Sequence, residues 1–420
     1  MSYEKMWQEL GINLEAHDNL LHVLEGFYEN IYLSQKNRPE GMEYFDKVVS
    51  CIHGARIQEL FKAKKENRLV LGTFCVFVPE EIVWAANGIC VGLCAGAEIG
   101  FELAEEVLPR NICPLIKAFF GFKLSKVCPF VEICDFVVGE TTCDGKKKAY
   151  EIFNEYKETY VMHVPQKKDK SSFDLWKNEV INFKSEIESR TGNKISQDDL
   201  LKAIELINKR REALKRLNSL RKADPPPISG LDVLLINQIS FYDDPERFTA
   251  KVNELCDELE ERIKRKEGVC PPGTPRIIVS GCPMAIPNWK LHYLVETSGA
   301  IIVGEESCVG TRNIRNLVEP KGSNVEDLLE DIASRYLKID CAIFTPNAER
   351  IENIKSMIDE FSAHGLINYS LKFCDPYTTE VYKVNKKIDK VPTLNIETDY
   401  SQEDIEQLRT RIEAFLEILK

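Results

Sequence analysis

Apolar and polar positions along the chain fall into regions of different period. Residues 1–66 mix them at helical spacing, interrupted by "NRPEGM", which predicts an N-terminal helical segment. From "RLVLGTF" the pattern changes to short apolar runs ending in Gly, Pro or Cys, each followed by helical spacing. Such strand–loop–helix alternation predicts a parallel sheet covered by helices. It defines a first α/β domain over residues 67–166, left through the polar "QKKDKSS". Residues 167–270 predict a helical connection. Within it, 172–221 are charged and helix-forming, and Ser196 and Asp199 are spaced as a capping box. "ADPPPISG" stops that helix, and another covers roughly 245–266. From "PRIIVSG" the alternation returns and defines a second α/β domain over 271–420.

The two α/β regions read as distant copies. "RLVLGTFCVFVPEEIVWAANGICVGL" and "RIIVSGCPMAIPNWKLHYLVETSGAIIVG" each run Arg, strand, Gly, Cys, a Pro-entered helix with a Trp, Gly and a second strand. Later, "DFVVGETTCDGKKKAYEIF" and "LINYSLKFCDPYTTEVYKV" each carry a strand ending in Cys-Asp and then a helix. The predicted fold class is α/β: two doubly wound, flavodoxin- or Rossmann-like parallel-sheet domains facing each other, with added N-terminal and central helices.

Charge narrows the partners. The 420 residues carry a net charge of −12 and no Lys/Arg block suited to a phosphate backbone, which argues against nucleic acid. The start lacks a basic region followed by an apolar one, and no apolar run matches a membrane span. A cytoplasmic protein with no membrane partner is expected.

The 14 cysteines change the picture most. In a reducing compartment they do not form a disulfide framework, so metal or redox chemistry leads. The plainer reading, small buried hydrophobes, is applied to Cys51 and Cys256 in helical segments and to Cys90 and Cys341 in apolar strand-like runs. Cys270 reads as a loop residue. Cys75, Cys143, Cys282, Cys308 and Cys374 sit just past apolar runs, at the strand ends where open α/β sheets bind ligands. Cys113 and Cys128 each precede a proline, which suits a loop or first helical turn. The fold would gather these seven in one cleft. No C-x-x-C is present, so zinc ligation is less expected than an iron–sulfur cluster at a domain interface. The alternative is an α/β enzyme with incidental cysteines.

The stretch "VVGETTCDGKKKAYEIF" nearly spells a phosphate loop, but Gly139 and Gly145 enclose five residues rather than four, and Lys147 stands where Ser or Thr should be. No dinucleotide fingerprint follows a strand either. The helix starts after Cys143 and Cys374 would favour an anionic cluster, with Lys146, Lys147 and Lys148 as candidate cofactor-binding charge; a solvated first turn is the plainer reading of those lysines.

Together "GTFCVFVPEEIVWAANG", "NICPLIK", "VVGETTCDGKKK", "SGCP", "EESCVGTR", "KFCD" and "IETDY" resemble the 2-hydroxyacyl-CoA dehydratase and benzoyl-CoA reductase family, most closely its double-cubane cluster proteins. The resemblance runs from about residue 66 to the end. It implies that Cys113, Cys143 and Cys374 match the three cysteines that hold one 4Fe–4S cluster in the dehydratases. The extra Cys75, Cys128 and Cys308 match the surplus of the double-cubane subgroup, which implies six ligands for an 8Fe–9S cluster. Cys282, the counterpart of Cys75 in the internal repeat, and then Cys94 are the reserves. With every iron held by sulfur, reduction of a small molecule is implied rather than acyl-CoA dehydration. A separate ATP-hydrolysing activator with its own 4Fe–4S cluster is implied as electron donor, and a homodimer as the assembly. Glu80 and Glu81 after Cys75, and Glu305, Glu306 and Arg312 around Cys308, are candidates for proton delivery, with ordinary helix-start or loop charge as the plainer reading. His163, His292 and His364 read as packed or surface residues. Two other functions stay open: a single-cubane 2-hydroxyacyl-CoA dehydratase subunit, and a non-catalytic electron-transfer module.

Overall fold

In the computed structural model, which describes residues 2–419, each α/β region forms its own four-stranded sheet. The first holds β1 (Val70–Thr73), β2 (Ile89–Gly92), β3 (Phe136–Glu140) and β4 (Thr159–Met162) in the order β2-β1-β3-β4, all parallel. The second holds β5 (Arg276–Gly281), β6 (Ile301–Glu306), β7 (Gly365–Leu371) and β8 (Thr393–Thr398) in the order β6-β5-β7-β8, also parallel. The internal repeat is therefore a repeat of topology. Strands β3, β5, β6 and β7 are buried at every position. Their continuous apolar runs reflect helices covering both faces, as parallel sheets require. The strand order reverses between β1 and β3 and between β5 and β7, which makes those strand ends the switch points where such sheets bind ligands.

The helices outside the sheets fix the two domains against each other. Helix 197–220 opens on the expected capping box, Ser196 Oγ accepting from the amide of Asp199 and the Asp199 carboxylate accepting from the amide of Ser196. Its arginines reach both domains. Arg211 donates to Glu81 at 2.7 Å and to the Tyr336 hydroxyl at 3.1 Å, and Tyr336 donates to the other Glu81 oxygen at 2.8 Å. Just beyond its end, Arg221 forks onto Glu305 of β6 at 2.9 and 2.8 Å. All four charged side chains are almost wholly buried. Breaking one partner of such a pair costs about 3–5 kcal/mol, so these contacts bind the domains to the helical connection. Helix Gly230–Ile239 is buried at every position and packs on β6 and on helix Lys290–Thr297. Helix Pro245–Lys264 is found where the apolar spacing placed it. The N-terminal helices reach the second domain through Tyr28 and Tyr32, both edge-on to the buried Trp289. Among the described residues no helix is long and apolar enough to cross a membrane.

Candidate functional site

The switch points of both sheets open on one cavity of about 680 Å³ between the domains. Seven cysteines line it: Cys75, Cys113 and Cys143 from the first domain, and Cys282, Cys308, Cys341 and Cys374 from the second. Strand ends deliver five of them. Cys75 follows β1, Cys143 follows β3, Cys282 follows β5, Cys308 follows β6 and Cys374 follows β7. Two glycines make the local geometry possible. Gly139 in β3 lies against the Tyr150 ring, which a Cβ would approach to 2.5 Å, so the helix after Cys143 can close onto its strand. Gly281 has φ 146°, and a Cβ there would come within 1.8 Å of the Tyr369 carbonyl oxygen. That close approach lets the amide of Cys282 bond to the same carbonyl at 3.0 Å. Phe373, at φ 60°, takes a left-handed conformation that is uncommon for a bulky residue, and it turns the chain into the helix that Cys374 caps.

Cys113, Cys143 and Cys374 are each the residue that caps a following helix. Their sulfurs therefore meet unpaired first-turn amides: those of Leu115 and Ile116 at Cys113, of Gly145 and Lys146 at Cys143, and of Tyr377 at Cys374. The sulfurs form two groups, each drawing on both domains. In one, Cys374 lies within hydrogen-bonding reach of Cys113 and of Cys282, with Cys143 nearby. In the other, Cys75 meets Cys308, and Cys341 is a near neighbour of Cys308. The Cys75 and Cys113 thiols are raised, first by these thiol–thiol hydrogen bonds and then by burial. Cys308 is lowered, chiefly because Cys75 donates to it and also because Arg312 lies beside it.

Two buried cations face the sulfurs. Lys146 donates to the Phe74 carbonyl at 3.2 Å. Burial opposes its charge, but Tyr150, Cys75, Cys94 and Glu140 around it outweigh that cost. Arg312 donates to Cys308 Sγ at 3.3 Å, to Glu306 at 3.0 and 2.5 Å, and to the Tyr377 hydroxyl. That hydroxyl is 3.6 Å from Cys341 Sγ. Glu140, at the end of β3, is fully buried with both carboxylate oxygens unpaired. Burial raises it to about 7, against the pull of Lys146.

Several of the singled-out residues lie elsewhere. Cys128 and the reserve Cys94 line a second, smaller cavity rather than the thiol-lined one. Lys147 points to solvent and pairs with Asp144 at 2.7 Å, because only one face of that helix meets the cavity. Glu80 bonds to Arg210 and Glu81 to Arg211. These two carboxylates thus anchor the domain to helix 197–220 and do not line the thiol-lined cavity. Glu305 is taken up by Arg221 and His292. Conversely, Cys341 was hidden by its apolar flanks, Ile339 and Ala342–Phe344; the Thr-Pro pair shortly after it was the signal that this segment is a loop.

The donor set excludes some groups and fits others. Among the described residues no three His, Cys, Asp or Glu side chains converge on one metal-ion position, as a zinc site with bonds of about 2.3 Å to sulfur requires. Two groups of sulfurs on the wall of a void of about 680 Å³, with buried cations and helix-start amides behind them, suit a larger anionic iron–sulfur group.

Sequence comparison finds dehydratase and reductase subunits. The family model described as 2-hydroxyglutaryl-CoA dehydratase, D-component, matches residues 75–419. A protein of Escherichia coli provisionally called dehydratase subunit YjiM is 38% identical over 363 residues, covering 85% of this chain and 93% of its own. The (R)-phenyllactyl-CoA dehydratase beta subunit of Clostridium sporogenes is 26% identical over 90% of this chain and 99% of its own. One of the benzoyl-CoA reductase subunits of Thauera aromatica is 22% identical over 86% of this chain and 93% of its own.

Proposed function

The chain belongs to the 2-hydroxyglutaryl-CoA dehydratase D-component family, and from that premise we propose that it is an iron–sulfur reductase holding an 8Fe–9S double cubane in the inter-domain cavity. Cys113, Cys143 and Cys374 are the ligands of one cubane, and Cys75, Cys308 and Cys341 of the other. Cys341 thus takes the place that the sequence reading gave to Cys128. The single observation that carries this reading is the pair of thiol groups, each built from both domains, on one cavity wall.

When bound, such a cluster supplies electrons of very low potential to a small-molecule substrate. The chain's own part is to present the sulfurs in two groups, to set their environment and to limit water. First-turn amides and the Lys146 and Arg312 cations lower the cost of negative charge in a buried site. The Phe373 and Tyr382 side chains at the cavity, 50% and 70% exposed, form the docking spot for a separate ATP-hydrolysing activator. The assembly is a homodimer with one cluster per subunit.

A second reading is favoured by what the relatives are called. In it the chain is a dehydratase subunit with a single 4Fe–4S cluster on Cys113, Cys143 and Cys374. Iron and acid-labile sulfide per chain, measured on protein prepared without oxygen, separate the two. The double cubane predicts about eight irons and the single cubane about four. Zinc alone, or no iron, defeats both.

A further inference from the structure

Behind Cys75 and Cys308 lies a second cavity, of about 150 Å³. Cys75, Leu115, Lys146, Pro283 and Cys308 line both cavities, so the second cavity adjoins the thiol-lined one across these residues. The rest of its wall is chiefly apolar: Phe74, Val76, Leu93, Ala95, Phe122 and Phe130, all buried. Most of the polar side chains on it are bonded elsewhere. Gln238 donates to the Met284 carbonyl at 2.7 Å and accepts from Trp289 at 2.8 Å. Cys94 donates to the Phe74 carbonyl at 2.9 Å, and the His53 ring pairs with His17 at 3.0 Å. The Tyr242 hydroxyl has no partner, but a buried water needs two to four polar partners. Lys146, the one charged side chain on the wall, donates to the Phe74 carbonyl at 3.2 Å, so the chamber is apolar except at the edge it shares with the thiol-lined cavity.

We propose that this chamber binds small, uncharged, apolar molecules, and that these are the substrate class of the reductase. Only the second clause rests on the function proposed above. The size fits: dry apolar cavities of roughly 150 Å³ take up xenon or benzene. The polarity excludes the alternative class, since a coenzyme A thioester carries phosphates that could not be desolvated here without partners. The position fits as well, because a molecule in the chamber touches the far side of Cys75 and Cys308, away from the cleft where the exposed Phe373 and Tyr382 stand. Cys94 and Cys128 are then wall residues of the chamber, which accounts for two cysteines that the proposed ligand set does not use.

Xenon is the probe. Crystals of the anaerobic holoprotein under xenon pressure should show one xenon per chain between Phe74, Leu93 and Ala95. In solution, exchange-broadened xenon NMR should report the same saturable site. Ala95→Leu, which fills the chamber, should abolish the site, and the milder Ala95→Val should weaken it several-fold. Iron content and thermal unfolding of each variant check that the fold is kept. With the cluster reduced and paramagnetic, the bound-xenon resonance should broaden several-fold relative to iron-free protein. The proposal is overturned if ordered water fills the chamber, if no xenon enters it, or if Ala95→Leu retains wild-type xenon binding. Xenon that binds without paramagnetic broadening in iron-loaded protein overturns the substrate assignment. Xenon bound in a protein found to contain no iron leaves the chamber standing and defeats the reductase.

Discussion

Arg312 holds Cys308: its guanidinium donates to the sulfur at 3.3 Å from a position where it is fully buried and shared with Glu306 and Tyr377. A fixed cation against a thiolate ligand favours the electron-rich state of whatever that sulfur binds. Arg312→Gln should therefore lower the midpoint potential of the bound cluster by on the order of 50 mV, about a tenfold change for one electron. Arg312→Lys should recover most of that shift, since it keeps the charge and loses only the fork. A redox titration followed by EPR reads both. Equal potentials in the two variants and in wild type would show that Arg312 only braces Glu306.

Cysteine replacement separates cavity-lining ligands from bystanders. Cys341→Ser should cost the chain about half or more of its iron, because a cubane held by three thiolates loses one. Cys128→Ser should keep the iron content of wild type, since Cys128 lies on the other cavity, where burial pushes its thiol up to about 11. Iron per chain on anaerobic preparations decides the matter. The reverse pattern would restore the ligand set read from the sequence.

The two sheets, their order and the inter-domain location of the cysteines were legible because strand ends announce themselves. An apolar run closed by Gly-Cys or Cys-Asp is a local pattern, and the parallel-sheet rule turns it into a position in space. Cys341 and Cys128 were not legible for the same physical reason in opposite directions. Each sits among apolar neighbours, and whether the thiol faces the cleft or the core depends on how a loop or a five-residue helix is turned. The roles of Glu80 and Glu81 were hidden because their partners, Arg210 and Arg211, lie 130 residues away in sequence. The same lysine triplet likewise splits by helical geometry: Lys146 is buried at the sulfurs and Lys147 is in solvent.

Glu140 gives the protein a pH signature. Its folded-state value, raised by burial to about 7, lies above the ordinary value that it has in the unfolded chain. The folded state therefore keeps its proton longer, and stability falls as pH rises from the unfolded value through about 7. Over that window the loss is about 3 kcal/mol. Iron-free Glu140→Gln cannot lose this proton. Urea unfolding at pH 5 and pH 8 should show the variant gaining on wild type by about 3 kcal/mol between the two. A parallel pH dependence of the two proteins would mean that Glu140 is ionised in the fold.

The exposed aromatics at the cleft predict how electrons arrive. Phe373 is 50% exposed beside Cys374, in a left-handed conformation that a bulky side chain adopts only under constraint, and Tyr382 is 70% exposed on the helix that Cys374 caps. Exposed aromatic side chains near a buried redox site suit a transient protein contact better than a solvent face. Replacing both with alanine should slow reduction by the ATP-dependent activator by about tenfold or more, as expected when aromatic anchors worth about 1–2 kcal/mol are lost from an interface. Reduction by a small chemical reductant such as Ti(III) citrate should proceed at the wild-type rate, because the sulfurs and the cations behind them are untouched. Stopped-flow traces with each donor make the comparison. If both donors slow equally, the aromatics shape the cavity itself and the activator docks elsewhere.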